Sequence, residues 1–70
     1  MNADDVIATL SVTLRPRSVL GTGGYEYETL DVAGCLVAEG WCSGTKEQAE
    51  AVAKRHAYRN IARRARKGRV

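Results

Sequence analysis

From Lys46 to Lys67 the chain contains neither glycine nor proline and is rich in Ala, Glu, Gln, Lys and Arg, all strong helix formers. A stretch of that kind commits the last third of the chain to one long helix, predicted over 46–67. Thr45 is its expected N-cap, and Glu47 and Glu50 in the first turns oppose the positive end of the helix dipole. At about 100° per residue, Ala49, Val52, Ala53, Ala57 and Ile61 fall on one broad stripe, with His56 and Asn60 beside it. That stripe needs a sheet to lie on.

The preceding residues supply one. Val6, Ala8, Leu10, Val12 and Leu14 alternate with Ile7, Thr9, Ser11, Thr13 and Arg15, which predicts a half-buried strand over 6–15. Pro16 ends that strand or sits at its edge, and the run Gly21-Thr22-Gly23-Gly24 is expected to be a flexible turn. Further strands are predicted over 25–32 and 35–42. A three-residue loop of Val32, Ala33 and Gly34, with glycine in the left-handed position, would set Asp31 opposite Cys35, Thr29 opposite Val37, Tyr27 opposite Glu39 and Tyr25 opposite Trp41. Leu30, Val32, Leu36, Ala38 and Gly40 would then lie under the helix. Tyr25, Tyr27, Val37 and Trp41 would form an aromatic outer face with Glu39 and Asp31.

The predicted fold class is therefore α+β: a three-stranded antiparallel sheet with one long C-terminal helix on one face, in the order β-β-β-α, as a single domain over 1–70. With 70 residues the core is small, so self-association through the outer face, giving a homodimer, is one expected state. No apolar run approaches the roughly 18 residues of a membrane span. The start MNADDVIATL is acidic where a signal peptide would be basic, and a cytoplasmic protein without a membrane partner is expected. Cys35 and Cys42 on one strand would stand about 23 Å apart on opposite faces, too far for a disulfide within the chain.

Charge divides the chain sharply. Up to Glu50 there are three basic residues, Arg15, Arg17 and Lys46, against all eight acids; from Ala51 onward there are eight basic residues and no acid. On the helical wheel Arg55, Arg59, Arg63 and Arg66 fall within an arc of roughly 80°. Guanidinium groups aligned in this way grip phosphate oxygens in pairs and release counterions from a polyanion. The expected partner is duplex DNA or RNA, contacted by these four arginines with Arg64, Lys67 and Arg69 assisting from the helix end. The same residues also complement the negative end of the helix dipole, but eight cations exceed that need.

Other constellations point elsewhere or nowhere. Tyr25, Tyr27 and Trp41, with Arg15, are candidates for a sheet-face contact, either stacking bases or packing against a second copy. His56, Ser43, Cys35 and Cys42 show no nucleophile spacing, and Cys35, Cys42 and His56 lack both a paired C-x-x-C spacing and a fourth zinc ligand. The sequence thus predicts no enzyme activity, no metal and no cofactor. The rival to nucleic-acid binding is a protein-interaction module, a regulator or inhibitor that dimerises through its sheet.

The stretch YEYETLDVAGCLVAEGWCSGTKEQAEAVAKRHAY, about half the chain, resembles the last two strands and helix of double-stranded-RNA-binding domains. Thr45, Lys46, Ala49, Ala53 and Ala57 occupy that family's helix positions, with Tyr58 at its leucine place. It also resembles the AP2-like arm-binding domains of phage and transposon integrases, through Gly40-Trp41 and Thr45-Lys46. The resemblance implies a nucleic-acid-binding module, with Lys46 as a phosphate contact at the helix start, and suits a phage or mobile-element accessory factor. Two departures accompany it: a strand is expected where the RNA-binding family has an N-terminal helix, and Glu47 and Glu50 stand beside Lys46.

Overall fold

The computed structural model describes residues 3–67. The elements run α1 (Ala3–Ala8), β1 (Ser11–Val19), β2 (Thr22–Leu30), β3 (Leu36–Ser43) and α2 (Lys46–Lys67). The strands form one antiparallel sheet in the order β1-β2-β3, and α2 lies against one face of it, the α+β arrangement expected. Arg69 and the side chain of Lys67 lie outside the described residues.

The N-terminal segment departs from the expected strand over 6–15. Ser11 pairs with Leu30, the last paired residue of β2, so the backbone before Ser11 has no neighbouring strand to bond. It satisfies itself locally instead. Asp4 and Asp5 occupy the first turn of α1, and the helix closes with the N–H groups of Thr9 and Leu10 donating to the carbonyls of Val6 and Ile7, each at 3.1 Å. β1 then runs through Pro16 to Val19, which an edge strand tolerates because the missing donor can face solvent. The turn is likewise shorter than expected: Leu20 and Gly21, with φ of 51° and 80°, form a two-residue hairpin loop, and Thr22, Gly23 and Gly24 belong to β2.

The second hairpin begins as predicted and then slips. The Asp31 N–H donates to the Cys35 carbonyl at 2.9 Å, Gly34 takes the left-handed conformation at φ 84°, and the Asp31 carboxylate accepts from the N–H groups of Ala33 and Cys35. Immediately beyond, the ladder shifts between Thr29 and Leu30, so that Leu30 pairs with Leu36 but Thr29 with Ala38. Val37 is the extra residue of a β-bulge, and every later pair moves by one: Tyr27 faces Gly40 and Tyr25 faces Cys42. Asn60 of α2 braces the bulge, its side-chain amide donating to the Val37 carbonyl at 2.8 Å.

That single residue re-sorts the sheet, because side chains alternate strictly between faces. Tyr25, Tyr27 and Thr29 turn toward α2 with Ala38 and Gly40, while Glu26, Glu28, Glu39 and Trp41 point to the open face. The core is built from Tyr27, Thr29, Val37 and Ala38 beneath Ala49, Ala53 and Ala57, which are completely buried, with Leu10 and Ile61 packed at its end. Alanines four residues apart let the helix axis come close to the sheet. At the helix start Thr45 and Gln48 form a reciprocal cap: Thr45 Oγ1 accepts the Gln48 N–H at 3.2 Å, and Gln48 Oε1 accepts the Thr45 N–H at 2.9 Å.

Candidate nucleic-acid interface

Arg55, Arg59, Arg63 and Arg66 are all exposed and line one shallow groove on the solvent side of α2 together with Tyr58 and Ala62. Steps of four, four and three residues carry them about 16 Å along the helix axis. The two ion pairs formed among the described residues, Arg17–Glu26 at 3.5 Å and Lys54–Glu50 at 3.2 Å, involve none of the four. Lys54 is thus paired within the helix, four residues from its partner, whereas the groove arginines have no acidic partner among the described residues.

The remaining predicted contacts are distributed differently. Arg64 faces the start of β3, beside Leu36, Glu39, His56 and Asn60, and is not on the arginine flank. Lys46 is exposed at the opposite end of the helix, roughly 14 Å from Arg55 along the axis. The structure therefore brings Arg55, Arg59, Arg63 and Arg66 together and separates Lys46 and Arg64 from them.

The expected aromatic outer face does not form. Tyr27 and Val37 are buried beneath α2, and Tyr25 shares their side of the sheet, so the dimer surface expected from Tyr25, Tyr27, Val37 and Trp41 is divided between two faces. Trp41 remains on the open face but is tied down: its indole N–H donates to the Arg17 carbonyl at 2.8 Å, which lays the ring across β2 beside Gly24. Arg15, on the same face, stands opposite Glu26, and Glu28 stands directly opposite Glu39. The acids of the sheet thus gather on the face turned away from α2, where they do not neutralise the arginine groove.

Between groove and core sits His56, half-buried, sharing a 2.7 Å hydrogen bond through Nδ1 with the Tyr27 hydroxyl; the two rings meet edge to face. Burial holds the Tyr27 phenol above its ordinary pKa, nearby Cys42 adds to the rise, and Arg59 opposes it. Both cysteines are free thiols. Besides Ala62, the groove includes one residue that the charge pattern alone does not single out, Tyr58. Its signal is positional: three residues after Arg55, it falls about 60° from that arginine on the wheel.

Comparison of the chain with known protein families, with curated proteins and with solved structures finds no match. No helix among the described residues is long and apolar enough to cross a membrane.

Proposed function

We propose that the protein is a small noncatalytic nucleic-acid-binding factor that grips the phosphate backbone of duplex DNA or RNA through Arg55, Arg59, Arg63 and Arg66. One observation carries the reading: four exposed guanidinium groups, unpaired among the described residues, share one groove while the sheet's glutamates occupy the far face. Contacts of this kind position a protein on the backbone and carry little base information. A cytoplasmic accessory factor of a phage or mobile element is the setting that suits these features.

Titration of a labelled duplex at two salt concentrations tests the proposal. The parent binds at low salt and weakens steeply at high salt, and Arg59→Glu with Arg63→Glu abolishes binding. Absence of binding by the parent at low salt, or undiminished binding by the double variant, rejects it in favour of a protein-binding module.

A further inference from the structure

We infer that the arginine groove also takes one unpaired nucleotide, with Tyr58 as the platform for its base. The inference rests on the nucleic-acid reading above and specifies which nucleic acids that surface prefers.

Three observations lead to it. Tyr58 and Ala62 form the apolar part of a groove otherwise walled by four arginines, and no carboxylate lines it. The groove is an open cleft of about 380 Å³, toward the lower end of the roughly 300–1,000 Å³ of small-ligand sites. Tyr58 is half-buried with its hydroxyl open to solvent, where it makes no hydrogen bond among the described residues, unlike that of Tyr27, which is bonded to His56. A half-buried ring with an unpartnered polar tip, set among phosphate-binding groups, matches the chemistry of a nucleotide: a π face to stack, base or sugar hydroxyls to hydrogen-bond, and phosphates on either side.

A continuous duplex cannot offer that base, because its π faces are covered by their neighbours. An overhang, gap or bulge beside a duplex can. Phosphate contacts then come from Arg55, Arg59, Arg63 and Arg66, and the exposed base lies on Tyr58. Base stacking on an aromatic side chain contributes on the order of ten-fold in affinity.

The test compares three labelled probes: a blunt duplex, the same duplex with a single-stranded overhang, and that duplex with an abasic overhang of equal length. The abasic probe keeps every phosphate and removes only the bases. The parent is expected to bind the normal overhang about ten-fold more tightly than the abasic one. Tyr58→Leu should erase that ratio by weakening the normal overhang and not the abasic one, and Tyr58→Phe should retain it. Equal affinity of the parent for the two overhangs, or a preference that survives Tyr58→Leu, overturns the inference but leaves the phosphate reading standing. Failure of the parent to bind any of the probes overturns both.

Discussion

The Tyr27 hydroxyl and Nδ1 of His56, 29 residues apart in sequence, meet at 2.7 Å beneath the inner edge of α2. The bond joins the central strand to the middle of the helix, close to the residues that carry the arginine groove. Tyr27→Phe removes it without changing the ring, and because His56 is only half-buried its nitrogen can turn to water. The expected cost at neutral pH is about 1 kcal/mol, read by chemical denaturation.

The same tyrosine predicts an alkaline limit. Its phenol is raised in the folded state, chiefly by burial, so the unfolded chain releases the proton first as pH climbs. The stabilisation is complete below the ordinary phenol pKa of about 10 and is lost as pH rises through the higher folded value. Denaturation midpoints measured from neutral to strongly alkaline pH should fall more steeply for the parent than for Tyr27→Phe.

Gly40 lies directly across from Tyr27, and a methyl group there would sit 2.6 Å from the Tyr27 hydroxyl oxygen and 2.8 Å from its ring carbon. Gly40→Ala must therefore displace the ring and with it the hydroxyl bonded to His56. A loss of about 1–3 kcal/mol is expected from overpacking, with the His56 ring signals moving in an NMR spectrum.

Thr29 is fully buried and its hydroxyl finds no hydrogen-bond partner among the described residues. Replacing it with valine keeps the branched shape and removes an unsatisfied polar atom from the core. Thr29→Val should stabilise the protein by about 1 kcal/mol, seen as a higher denaturation midpoint with unchanged slope.

The long helix, its stripe of alanines and the flank of arginines were all legible in the sequence, because residues 46–67 carry a strong helical period without any breaker. The sheet was less so, and the reason is Val37. A bulge adds one residue without a compositional mark; Val37 and Ala38 are both apolar and both buried, so alternation gives no hint that two residues oppose one. The loop from Asp31 to Cys35 obeyed its turn chemistry, yet the faces of Tyr25 and Tyr27 were reversed a few residues later. At the N-terminus the alternation of Val6 to Leu14 fitted a strand, but pairing needs a partner, and the ladder ends at Ser11 and Leu30. In the site, periodicity found the arginines but did not group Tyr58 with them, because only the folded groove shows that Tyr58 and Ala62 share its walls.

Whether the arginine flank acts as a phosphate clamp is measured most directly by the salt dependence of duplex binding. Four phosphate contacts predict a slope of about −3.6 in a plot of log affinity against log salt, shrinking by about 0.9 with each of Arg55→Gln, Arg59→Gln, Arg63→Gln and Arg66→Gln. A slope near zero in the parent, or one that these substitutions leave unchanged, would contradict that role.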